Sequence, residues 1–244
     1  MINFVAKAQS SEEEIVDVPF QVYVWPGGPM ASVGEHPRGG GYTRPIIEYS
    51  PDGVGEAVDI MADELRLSSE LHYRGPNPLQ FYREITLANG EKRRKLLASV
   101  VIPVGMKRAL LLFFPVKGKS YSYDVFPIDN SLERVPLGQS QVYNLTQSKI
   151  ACLFNEQQLL IERGQSLHAK LGPAEDFTVL VRIGAEDDAG QWKVRHEQRL
   201  VVNPEDSSTT LIYMKPGSRK AYRILVLKNS EMKRTLSPAI SDAD

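Results

Sequence analysis

Cys152 is the only cysteine in the chain, so no disulfide can form within it. That excludes a small secreted domain held together by disulfides and leaves the compartment open. The thiol lies in the apolar run Ile150–Phe154 with no His or Asp pattern beside it, so it reads as a small buried hydrophobe, not a nucleophile. No window holds the eighteen or so apolar residues of a membrane-crossing helix. Neither sign of charge dominates: 29 basic and 30 acidic residues leave a formal net charge of −1. No global field therefore draws the chain to nucleic acid or an anionic membrane, and no nucleic-acid partner is expected. There is no Gly-rich phosphate loop, no G-x-G-x-x-G after a strand, no H-E-x-x-H and no nucleophile elbow. His36, His72, His168 and His196 are scattered, with no ligand-type neighbour at a diagnostic spacing, so neither metal nor cofactor is expected.

What is present is punctuation. The 18 glycines and 16 prolines are spread along the chain and separate short apolar runs, a pattern that predicts an all-β sandwich or barrel. Phe20, Val22 and Val24 alternate with Gln21 and Tyr23, Ala109–Phe114 is continuously apolar, and Tyr121, Tyr123 and Val125 alternate with polar residues. Further strands are predicted around Phe177–Ile183, Trp192–Val194, Arg199–Val202, Thr210–Tyr213 and Tyr222–Leu227. The one helical spacing, Val58, Met61, Ala62 and Leu65 within 55–67, predicts at most one or two short helical turns before a strand. Residues 1–17 and 231–244 read as flexible tails.

A shift of 99 residues lays Ala109–Ser131 on Ser208–Ser230 without a gap. Leu112/Leu211, Gly118/Gly217, Tyr123/Tyr222, Asn130/Asn229 and Ser131/Ser230 are then identical. Both copies read apolar strand, Gly turn, strand with Tyr, Asn-Ser. Asn89-Gly90 falls against Ala189-Gly190, each a hairpin signal, and Gln21-Val22-Tyr23 recurs as Gln141-Val142-Tyr143. These correspondences predict an internal duplication: two tandem immunoglobulin-like β-sandwich domains over 18–133 and 134–230.

Candidate sites follow from what the repeat does not explain. The Gly/Pro-rich stretch 26–45 is too long for an ordinary connection and cannot form a core; it is either a functional loop or simple disorder. Trp25, His36, Arg38 and Tyr42 in and beside it offer a partner aromatic and polar groups. The turn His72-Tyr73-Arg74-Gly75-Pro76-Asn77-Pro78 is a second candidate, and His72, Tyr73 and Arg74 are its binding residues. Lys92-Arg93-Arg94-Lys95 reads as an exposed hairpin arm, because no aromatic interleaves it as a nucleic-acid site would require. Asp59, Asp63 and Glu64 are the residues on which a carboxylate-dependent hydrolase would have to rest. Asp187-Asp188 reads as a solvated turn, and Asn144-Leu145-Thr146 matches a glycosylation acceptor.

Leu67-Ser68-Ser69, His72-Tyr73-Arg74-Gly75, Leu79-Gln80-Phe81-Tyr82-Arg83 and the run Val135–Thr146 resemble exported bacterial proteins of β-sandwich type that have no assigned activity. The resemblance implies export, in line with the small-x-small stretch Ala6-Lys7-Ala8, and transfers no functional residue. The combined expectation is a non-catalytic extracytoplasmic binding or structural module that takes a protein or glycan partner. The alternatives are the carboxylate hydrolase, a subunit of a homo- or hetero-oligomer, and a cytoplasmic location.

Overall fold

In a computed structural model the described residues are 14–25, 46–61, 66–87, 89–119, 121–172, 177–187, 189–203, 205–214 and 221–229. Among them there is no helix; the strands form four four-stranded sheets. The chain divides after Asp129 into two compact units, each a two-sheet sandwich. In the first unit, β1 (Ile15–Val24), β4 (Leu71–Pro76), β7 (Ala109–Pro115) and β8 (Tyr123–Asp129) form one sheet in the order β4-β1-β7-β8. The facing sheet is β3-β2-β5-β6, from β2 (Ile46–Tyr49), β3 (Val58–Met61), β5 (Leu79–Thr86) and β6 (Lys92–Val100). In the second unit, β9 (Gln139–Asn144), β12 (Ser166–Lys170), β15 (Ser208–Met214) and β16 (Tyr222–Lys228) give the order β12-β9-β15-β16. Its other sheet is β11-β10-β13-β14, from β10 (Ile150–Phe154), β11 (Gln157–Ile161), β13 (Thr178–Glu186) and β14 (Trp192–Val201).

The second order is the first with every strand number raised by eight, and the registers agree. Tyr123 pairs with Pro115 and Asp129 with Ala109; 99 residues on, Tyr222 pairs with Met214 and Lys228 with Ser208. The parallel pairing Phe20–Val24 with Ala109–Phe113 recurs as Ser140–Asn144 with Ser208–Ile212, which sets Gln21-Val22-Tyr23 on Gln141-Val142-Tyr143. Gly90 and Gly190 close equivalent hairpins, each donating its N–H back to residue 87 or 187, at φ +82° and +74°. Positive φ is the reason for glycine at both. Gly217, the expected match of Gly118, lies outside the described residues.

The two cores are built differently on this common frame. Phe20, Tyr49, Phe81 and Phe113 form an edge-to-face chain in the first unit, with ring centroids 4.9–6.2 Å apart. In the second, Ser140 takes the register position of Phe20 and Thr210 that of Leu111, and their hydroxyls bond at 2.7 Å. Paired with each other, the two hydroxyls can be buried among Val142, Val181 and Ile212 without an unmet partner.

Three expectations need correction. The N-terminal tail does not run to residue 17: β-branched Ile15 and Val16 extend β1 along β4, pairing with Pro76 and Gly75. The helical spacing in 55–67 does not make a helix over its first part, because Val58–Met61 pairs antiparallel with β2 and buries only Ile60. The division falls after Asp129, not after 133. Asn130 and Asn229 exchange side-chain hydrogen bonds at 2.8 Å in both directions, and Thr209 donates to Asn130 at 3.0 Å. These bonds tie the segment after β8 into the second unit.

Candidate functional site

The first unit contains a cleft of about 260 Å³ lined by Ser50, Gly53, Tyr73, Pro76, Asn77, Pro78, Gln80 and Tyr82. It forms where the β2–β3 turn meets the turn between β4 and β5. The Asp52 carboxylate shapes the first turn, accepting from the N–H groups of Val54 (3.0 Å) and Gly55 (2.5 Å). Those two bonds hold its carboxyl below the usual range. The second turn contains a cis Asn77–Pro78 bond, and Asn77 clamps it: Oδ1 accepts from Ile102 N and Nδ2 donates to Ile102 O, both at 3.0 Å. Arg74 N donates to Pro51 O at 2.8 Å and joins the two turns. Gly75 is needed here, since a Cβ on it would stand 2.7 Å from the Asp52 carbonyl oxygen and 2.8 Å from Tyr73 Oη.

Tyr73 forms the inner wall. Its ring is in the core, 2% exposed, and its hydroxyl donates to Pro76 O at 2.6 Å. Burial pushes the phenol above its ordinary range, and Tyr82 and Asp52 add to the shift, so it stays neutral near pH 7. Tyr82 donates to Gln80 Oε1 at the outer wall. The Arg94 guanidinium lies 4.5 Å from the centre of the Tyr82 ring, within cation–π range.

The structure separates the residues predicted at this turn. Tyr73 contributes to the cleft only through the inner wall. His72 and Arg74 flank it on the other face of β4, where both reach Asp17, at 2.9 Å and 3.8 Å. Both are mostly exposed, so these are surface contacts of small energetic weight. Trp25 packs on Phe114 (centroids 5.1 Å) and Tyr23 (6.1 Å) at the end of β1. His36, Arg38, Tyr42 and the rest of 26–45 lie outside the described residues, as do Asp63, Glu64 and Asp188. The cleft residues that sequence reasoning missed are Ser50, Gly53, Gln80 and Tyr82. Nothing local marks them, because the pairing of β2 with β5 and the Arg74 N–Pro51 O bond bring them together from separate turns and strands.

Other candidates resolve into structure. The Cys152 thiol is pushed up to about 12 by burial, so almost none of it is thiolate at neutral pH. Asp187 caps its hairpin, with Oδ1 accepting from Ala189 and Gln191 at 3.0 Å and Oδ2 meeting Lys193 at 2.6 Å. Asn144 is fully buried: Nδ2 donates to Ser148 O and Ile161 O, and Oδ1 accepts from Thr146 N and Oγ1. The apparent acceptor sequence is therefore a buried turn in the folded chain. Asp59 stands on the exposed side of β3, directly opposite Glu48, which accepts from Glu84 N and pairs with Arg94.

The basic run on β6 has aromatic neighbours that its sequence does not show. Tyr82 lies under Arg94, while Arg83 and Lys95 approach the Tyr121 ring at 4.4 and 5.6 Å. Lys92 pairs with Glu84 at 2.8 Å. Among the described residues no helix is long and apolar enough to cross a membrane. No family model matches the chain, and no curated protein matches it.

Proposed function

We propose that the chain is a non-catalytic binding module and that the cleft of its first unit takes a terminal sugar of a neutral glycan. The carrying observation is the chemistry of the wall: hydroxyls, side-chain amides, tyrosine rings and prolines, with no carboxylate, imidazole, thiol or amine among the lining side chains. Hydroxyls and amides match sugar hydroxyls, while tyrosine and proline offer apolar surface to the ring C–H groups. A volume of about 260 Å³ lies just under the range that encloses a drug-sized molecule, which suits one sugar residue and not a chain. The same wall supplies no general acid or base at neutral pH, which favours capture over hydrolysis.

Such a small, open site implies weak single-site binding, with Kd of about 10⁻³ to 10⁻⁴ M, or roughly 4–5.5 kcal/mol. An array of neutral glycans probed with the full chain and with Gln80→Ala tests the reading. Retention of particular termini by the wild type and its loss in the variant is the expected result. Equal retention by both proteins would remove the cleft from the function. The extracytoplasmic setting rests on Ala6-Lys7-Ala8 and on the resemblance to exported proteins; fractionation of the source cells checks it.

A further inference from the structure

On the outer face of the β11-β10-β13-β14 sheet, Leu160 stands opposite Ala151, Ala151 opposite Gly184, and Gly184 opposite Val194. This uncharged row crosses all four strands. Leu160 is 53% exposed, Val194 66% and the adjacent Trp192 43%. A contiguous apolar band of this kind, bounded by charged residues, marks an interaction site.

The first unit shows what the same frame looks like without such a site. Shifted by 100 residues, Gly184, Trp192 and Val194 correspond to Glu84, Lys92 and Arg94. There the face is solvated by ion pairs: Lys92 with Glu84 at 2.8 Å, and Arg94 with Glu48 at 3.4 Å. The second unit replaces all three charges with glycine and two apolar side chains.

Gly184 is the informative position. Its φ is not positive, and a Cβ on it would make only ordinary contacts, the nearest at 3.6 Å. The register shift beside it falls two residues further along than that of the first unit, which lies between Phe81 and Tyr82 and has no glycine. Glycine inside a strand weakens it and often marks close approach of another backbone. Within this unit the Trp192 ring lies beside it, with Cε3 3.7 Å from where the Cβ would stand.

We propose that this face is the contact surface of a homodimer, in which two copies pack sheet against sheet about a two-fold axis running along the Leu160–Ala151–Gly184–Val194 row. Charge favours a second copy over another partner. On β13 the side chains two residues either side of Gly184 on this face are Arg182 and Glu186. A two-fold through Gly184 along the row sets each Glu186 over Arg182 of the other copy, twice, as an isologous contact requires. The rim carries both signs, with Lys149–Glu162 and Arg182–Glu197 paired at 2.6 and 2.5 Å, so it does not select a strongly acidic or basic partner.

Sedimentation of the full chain over a concentration series is the test. The expected result is a monomer–dimer equilibrium with Kd below about 100 µM. Val194→Glu should raise Kd at least about 30-fold, and Glu186→Arg about 10-fold, by facing two cations across the contact. Combining Glu186→Arg with Arg182→Glu should restore part of the association that Glu186→Arg loses. Circular dichroism and melting of each variant separate misfolding from lost contact. A wild-type chain that stays monomeric at about 200 µM, or a dimer that Val194→Glu leaves intact, overturns the proposal.

Discussion

Asn144→Ala probes the second unit where its packing is least forgiving. The side chain is fully buried and makes four hydrogen bonds: to Ser148 O (2.8 Å) and Ile161 O (3.0 Å), and from Thr146 N (3.0 Å) and Thr146 Oγ1 (2.7 Å). Alanine takes this partner from Ile161 O and Thr146 N, while Ser148 O keeps the Thr146 hydroxyl at 2.9 Å. At about 1–3 kcal/mol for each buried group left unmet, with partial relaxation, the cost is about 3–5 kcal/mol. For a domain of this size that lowers Tm by roughly 12 °C or more. Calorimetry or urea unfolding followed by circular dichroism reads it, and the loss should fall on the second unit's transition. Thr146→Val removes one hydroxyl and should cost only about 1–2 kcal/mol.

Asn144→Asp adds a check of sign. Its carboxyl replaces the Nδ2 donor opposite two carbonyl oxygens, so the protonated acid is favoured and its folded pKa rises above the unfolded value. That variant should be most stable below about pH 4 and should lose stability as pH rises through the raised folded value. A cost below about 1 kcal/mol for Asn144→Ala, or an equal fall in both transitions, would refute the reasoning.

Cys152, buried and held as thiol, should resist a disulfide reagent at pH 8 in the native protein and react promptly once urea unfolds it; fast native labelling would contradict its burial. Gly90→Ala and Gly190→Ala should each cost about 1 kcal/mol in their own units, because each needs positive φ and a new Cβ meets nothing within 4 Å. Matched costs in the two chemical denaturation transitions would bear out the equivalence of the hairpins. Gly75→Ala should cost about 2–3 kcal/mol and abolish glycan capture, since its Cβ would press on the Asp52 carbonyl between the two turns of the cleft.

Much of the frame was legible because β structure leaves local marks. Alternation along Phe20–Val24, the Gly hairpins at 90 and 190, and the 99-residue shift all describe neighbours in sequence, and the pairing of β7 with β8 and β15 with β16 follows them. The helical spacing at 58–65 misled because Val58–Met61 is an edge strand with only Ile60 buried, so its outward residues are free of strand alternation. The turn at 72–78 was found, but its face was not. Strand alternation sends His72 and Arg74 to solvent and Tyr73 to the inner wall, and the rest of the cleft comes from the β2–β3 turn, the β4–β5 turn and β5. The uncharged row from Leu160 to Val194 depends on three cross-strand registers, none of which composition reveals.

The most direct test of the central claim is a nuclear magnetic resonance titration of the full chain with the neutral sugar that the array selects, to about 20 mM. Saturable shifts at Gly53, Asn77, Gln80 and Tyr82, with the sugar recovered unchanged, are the predicted result. Absence of shifts at those residues, or cleavage of an oligosaccharide during the titration, would contradict it.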